Sequence, residues 1–120
     1  MVSTARDIQS RHKEKGLPWE LAKAFDGSAP VSNFIPKSEF TDLYNLDFNL
    51  DINGQIRQQG NTKDLLFSFE QIITFVSRHI TLKKGDLIFT GTPQGVGKVN
   101  IGDHLEAYLE GKRMLDFYVK

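Results

Sequence analysis

Cysteine is absent from the 120 residues, which excludes a disulfide framework and a thiolate zinc site. An excess of one charge is absent too. Lys+Arg and Asp+Glu are both 15, so no net field steers the chain toward nucleic acid or anionic lipid. Basic residues are not clustered, since "RHKEKG" mixes signs over one turn. No apolar run approaches the roughly 20 residues a membrane span needs. "MVSTARDIQSRHK" lacks the apolar core of a secretory signal. The histidines stand at 12, 79 and 104, without the spacing of a metal pair. No Ser-His-Asp pattern, no nucleophile elbow and no two glutamates at i, i+2 occur. What is present is 39% hydrophobic residues, including nine phenylalanines, enough for the core of one soluble domain.

Residues 1–44 and 45–120 differ in character. In the first part, "STARDIQSRHKEKG" is expected to start a helix capped by Ser3 or Thr4 and stopped by Gly16-Leu17-Pro18. The following "LPWELAKAFDGSAPVSNFIPKSEF" reads as an extended segment laid over a surface. In the second part, "LDFNLDI" alternates apolar and polar residues as a half-buried strand does. Asn53-Gly54 is the preferred pair for a type I′ turn, with "QIRQQ" as the return strand. Ser68 and Gln71 have the spacing of a capping box, and Phe69, Ile72, Ile73, Val76 and Ile80 form one apolar stripe, so a helix is expected over about 68–80. "LIFT" (87–90) is apolar throughout and is expected to be a strand buried on both faces. "HLEAYL", the turn Glu110-Gly111 and "RMLDFYV" predict a closing hairpin. The expected fold is α+β with mixed or mostly antiparallel pairing.

Candidate chemistry concentrates at three places. Arg6 and Gln9 share a helical face and are able to hold a carboxylate jointly; the plainer reading is a solvated helix start with an Arg–Asp pair. Lys23 lies between Leu21-Ala22 and Ala24-Phe25, either as a desolvated electrophile or base, or snorkelling outward. The loop "FTGTPQGVGKV" is not a phosphate loop. The glycine required five residues before Gly97 is Thr92, and Val99 follows Lys98 where a hydroxyl is needed. Its glycines instead leave backbone N–H groups and the Thr92 hydroxyl open to an anionic oxygen, or else merely make a tight connection.

Taken together, "TARDIQ", "GLPWELAKAFDGSAPVSNFIP", "NGQIRQQGNTKDLLFS", "FVSRHITLKKGDLIFTGTPQGVG" and "GDHLEAYLEG" resemble, in order and spacing, the C-terminal part of the fumarylacetoacetate hydrolase superfamily. "KGLPWELAKAF" is most similar to the mitochondrial branch of small acylpyruvases and oxaloacetate decarboxylase/tautomerases. The resemblance implies a mixed β-roll, here partial, in a homodimer. It implies a Mg²⁺ or Mn²⁺ ion that chelates a small 2-oxo acid while a C–C bond breaks or a proton moves through an enolate. By motif match, Arg6 and Gln9 orient substrate oxygens, Lys23 neutralises the enolate or carboxylate as the catalytic residue, and Thr92 holds the substrate carboxylate. Asn61-Thr62 shapes the site wall, and Lys98 is incidental. The location implied is mitochondrial or cytoplasmic.

The chain departs from the family's pattern where the metal should sit. The aspartate expected four residues before Arg6 is Val2, and the Glu-x-Glu pair and the general acid–base pair belong upstream of Met1. The chain is therefore read as one incomplete domain, with 1–44 on the substrate side and 45–120 as β-roll core. It is expected to be a fragment of a longer enzyme, to be an inactive binding or dimerising paralogue, or to draw its missing ligands from another chain.

Overall fold

Asn53 and Gly54 take φ of 52° and 76°, which the tight two-residue turn requires. They join β1 (Asp47–Ile52) to β2 (Gln55–Asn61) in an antiparallel pair. Glu110 and Gly111, at φ 51° and 72°, do the same for β3 (His104–Leu109) and β4 (Lys112–Tyr118). The computed structural model describes residues 2–120. Its one sheet runs β2-β1-β3-β4, antiparallel throughout, so the α+β expectation holds and no parallel pair enters the sheet. The chain divides into two compact units, Met1–Ser32 and Asn33–Lys120.

The register across β1, β3 and β4 sorts side chains by face. Phe48 pairs with Leu109, Leu50 with Ala107 and Ile52 with Leu105, while Asp51 meets Glu106 and Asn49 meets Tyr108. One face is thus apolar and the other polar, the consequence of the period-two alternation in "LDFNLDI". Leu105 is fully buried and is the largest side chain so enclosed. Its removal from water stabilises the sheet by about 1.5–3 kcal/mol. A hydrogen-bond pair between Thr62 and Leu46 extends the β1–β2 ladder: Thr62 N–H donates to the Leu46 carbonyl (3.0 Å) and Leu46 N–H to Thr62 Oγ1 (2.9 Å).

The expected capping box is present at α1 of this unit's only α-helix, Phe69–Ser77, labelled α3 in chain order after α1 (Arg6–Glu14) and α2 (Glu20–Lys23). Gln71 N–H donates to Ser68 Oγ and Ser68 N–H to Gln71 Oε1. Helix α3 stops three residues short of Ile80, and its apolar stripe is not buried: Ile73 is 49% and Ile80 62% exposed. "LIFT" is a second correction. Residues 87–90 form no strand, and Leu87, Ile88 and Phe89 are all exposed, because no strand among the described residues offers them backbone partners. In the first unit, neither Ser3 nor Thr4 caps α1. The N-cap is Ala5, without a side-chain bond, and Gly16 at φ 62° ends the helix with Leu17 N–H bonded to the His12 carbonyl.

Candidate active site

In the first unit the Thr4 hydroxyl is engaged elsewhere, which explains the displaced cap. Lys23 Nζ donates to Thr4 Oγ1 at 2.7 Å. Backbone bonds from Ala5 N–H to the Ala22 carbonyl and from Ser3 N–H to the Ser28 carbonyl hold the two segments side by side. Ala22 is fully buried between them. Lys23, the last residue of α2, is exposed, so the snorkelling reading describes its side chain. Arg6 and Gln9 occupy the first turn of α1. The expected pairing of Arg6 with Asp7 is not made: Asp7 lies 3.8 Å from Arg11, one turn on. Among the described residues no carboxylate pairs with Arg6 or Lys23, so both cations retain their capacity for an anion.

In the second unit, the glycine loop is built against β2. The register slips between Leu50 and Asp51, which face Gln58 and Ile56, leaving Arg57 as the extra residue of a β-bulge. Arg57 and Gln58 consequently both reach the loop. Gln58 Nε2 donates to Thr92 Oγ1 (2.9 Å), the Pro93 carbonyl (3.0 Å) and the Gln94 carbonyl (3.3 Å). The Arg57 guanidinium fills the space a Cβ on Gly97 would need, and the Arg57 carbonyl does the same for Gly95, whose φ is 93°. Phe48 and Pro93 close in on Gly60 in the same way. The loop is therefore a bonded structure on a strand, with Thr92 exposed at its surface. Asn61 and Thr62 are engaged in scaffolding, Asn61 Nδ2 donating to Asp47 Oδ1 at 2.8 Å.

A third group was not legible in the histidine spacing. His104, Glu106 and Asp116 place one ligand atom each within 4.8 Å of one another. The β3–β4 register brings Glu106 opposite Asp116. Arg113 Nη1 lies 2.8 Å from Glu106 and 2.9 Å from Asp116, and His104 Nε2 lies 2.7 Å from Asp116. The hydrogen bond from Arg113 holds the Glu106 carboxyl below its usual range, and the bond from His104 does so for Asp116. Both carboxylates already have a cationic partner, and an all-oxygen shell for Mg²⁺ or Mn²⁺ is not available there. Val2 offers only an aliphatic side chain. The described residues do not fit a hard divalent ion.

Comparison with known proteins settles the family. The model for the fumarylacetoacetate (FAA) hydrolase C-terminal region matches residues 2–119. The chain belongs to the fumarylacetoacetate hydrolase family. It is similar to "Oxaloacetate tautomerase FAHD1, mitochondrial" of Mus musculus, 50% identical over 117 residues that cover 98% of this chain and 53% of the relative. A fumarylacetoacetate hydrolase family protein of Yersinia pestis superposes with a TM-score of 0.91 at 49% identity, over 98% of this chain and 55% of that one. Fumarylpyruvate hydrolase of Pseudomonas aeruginosa, solved with Mn²⁺ and pyruvate, gives 0.89 at 38% identity, over 97% and 50%. The chain thus spans about half the length of the family members it matches.

Of the residues expected from the sequence, Arg6, Gln9 and Lys23 lie together in the first unit, and Thr92 lies in the second. Two residues that shape the glycine loop, Arg57 and Gln58, escaped the sequence reading. The N-G turn predicts where β2 starts, but nothing in "QIRQQ" marks which residue bulges.

Proposed function

We propose that this chain is the substrate-binding part of an enzyme acting on small 2-oxo acids. The reaction classes that fit are keto–enol tautomerisation or decarboxylation of oxaloacetate and hydrolysis of an acylpyruvate. The observation that carries this reading is the pair of uncompensated cations, Arg6 and Lys23, in a chain of this family. All three reactions develop negative charge on the 2-oxo oxygen, and a fixed ammonium or guanidinium stabilises that charge as it forms. In this reading Arg6 and Gln9 orient substrate oxygens. Lys23, held by Thr4, neutralises the enolate or carboxylate, and Thr92 donates its hydroxyl to a carboxylate. Mg²⁺ or Mn²⁺ would polarise the oxo group, with its ligands supplied from outside these 120 residues. The 120 residues then act as one part of a domain, in a homodimer or another obligate association, in mitochondria or cytoplasm.

Pyruvate binding to the chain, followed by NMR, tests the site. Arg6→Ala and Lys23→Ala are each expected to weaken binding tenfold or more; binding within twofold of wild type in both variants overturns the assignment. Oxaloacetate turnover with Mg²⁺ or Mn²⁺ tests the metal. Turnover by the 120-residue chain alone would show that its own residues suffice as ligands. A second reading, an inactive binding or dimerising module, is favoured by Val2 and predicts pyruvate binding without turnover even when an N-terminal half from a relative is supplied.

A further inference from the structure

We propose that Gln58 is a positioning residue that fixes the polarity of the Thr92 hydroxyl, so that the glycine loop presents a hydrogen-bond donor and selects a carboxylate. This inference rests on the role given to Thr92 under the proposed function. A threonine hydroxyl is one donor and an acceptor, and its hydrogen rotates to suit its neighbours. Here the choice is made by Gln58. The atom facing the Pro93 and Gln94 carbonyl oxygens must be the amide nitrogen, since the amide oxygen would meet two further oxygens there. That same nitrogen lies 2.9 Å from Thr92 Oγ1, so the hydroxyl accepts from Gln58. Its own hydrogen has no acceptor among the described residues and is left to donate outward. A hydroxyl held this way attracts an anionic oxygen and disfavours an ammonium or amide N–H at the same point.

The bulge at Arg57 is what lets the strand do this. In an unbulged strand consecutive side chains alternate between faces. With Arg57 as the extra residue, the Gln58 amide and the Arg57 guanidinium both lie against one loop. Arg57 adds a positive charge beside Gly97, has no carboxylate partner among the described residues, and stays protonated across the range used below.

Replacing Gln58 by glutamate separates this role from simple support of the loop. A carboxylate at 58 accepts the Thr92 hydrogen and turns the hydroxyl's lone pairs outward. It also faces two carbonyl oxygens, which push its protonation toward neutral pH. Once protonated, it has a hydrogen to donate to Thr92 again. Pyruvate is the probe, titrated into the 120-residue chain at pH 7.5 and pH 5 with the amide signals of residues 91–97 as readout. Gln58→Glu is expected to weaken binding tenfold or more at pH 7.5 and to recover at least half of that loss at pH 5. Gln58→Met and Thr92→Val are expected to be weak at both values, and wild type to change less than twofold. Gln58→Glu within twofold of wild type at pH 7.5, or a deficit equal at both values, overturns the inference while leaving the role of Thr92 standing. Wild-type chain whose loop signals do not respond to pyruvate overturns both.

Discussion

At the scale of single residues, Gly95 and Gly97 are required for different reasons, and their substitutions separate. A methyl on Gly95 would meet the backbone carbonyl of Arg57 at φ 93°, where neither neighbour nor backbone is free to give. Gly95→Ala is expected to destabilise by about 2–3 kcal/mol, from strain and overpacking together. On Gly97 the obstacle is the far end of a flexible side chain, so Gly97→Ala is expected to cost less than about 1 kcal/mol. Thermal unfolding of the double variants checks the origin. Arg57→Ala should relieve the cost at Gly97 and leave that at Gly95, a difference in coupling that equal behaviour would refute. Arg6 and Gln9 were legible as a pair because helical spacing alone places them. The Arg6–Asp7 pair failed because Asp7 finds Arg11 one turn on, the geometry helices favour.

Among the elements, α3 and the β3–β4 hairpin carry local signals that survive folding. Loss of the Ser68 cap should lower stability by about 1 kcal/mol, read as a fall of about 4–8 °C in Tm for Ser68→Ala. Helix α3 is also tied at its start by Tyr44, which stacks on Phe69 and bonds Glu70, so the helix itself should persist in the variant. In the hairpin, the folded Glu106 and Asp116 carboxyls titrate below their unfolded values, for the reasons of geometry given above. Their contribution is therefore complete above about pH 4, where the unfolded groups titrate, and is lost as pH falls through the lowered folded values. Asp116→Asn should narrow the stability gap to wild type as pH drops from 7 to 3; a gap constant across that range, in urea unfolding curves, would count against the Asp116–His104–Arg113 arrangement.

For the molecule as a whole, the thin core sets the behaviour. Among the described residues, Ala22 and Leu105 are the hydrophobic side chains fully enclosed, while Leu66, Phe34 and Phe75 are 92%, 74% and 65% exposed. A groove of about 490 Å³ lined by Leu43, Phe69, Ile72, Ile73, Asp86, Ile88 and Thr90 adds to the open apolar surface of the second unit. Surface of this kind drives association. Sedimentation of the 120-residue chain is expected to show oligomers at tens of micromolar, about the range where such patches pair. A monodisperse monomer would contradict this. The unpaired "LIFT" segment belongs to the same account, since an apolar run with free backbone groups is a strand without its neighbour.

The sequence by itself determined what local physics decides. The N-G and E-G turns, the two hairpins, the Ser68–Gln71 cap and the helical pairing of Arg6 with Gln9 all depend on residues within a few positions of one another. It also carried the family, because five quoted segments in order are more specific than any one of them. Tertiary structure alone decided that "LIFT" stays unpaired, that Lys23 takes the Thr4 hydroxyl, that His104 joins Glu106 and Asp116, and that a bulge at Arg57 delivers Gln58 to Thr92. Gln58 and Thr92 are 34 positions apart. No propensity or period extends that far; the contact exists only once a strand has chosen its register and a loop has folded back upon it.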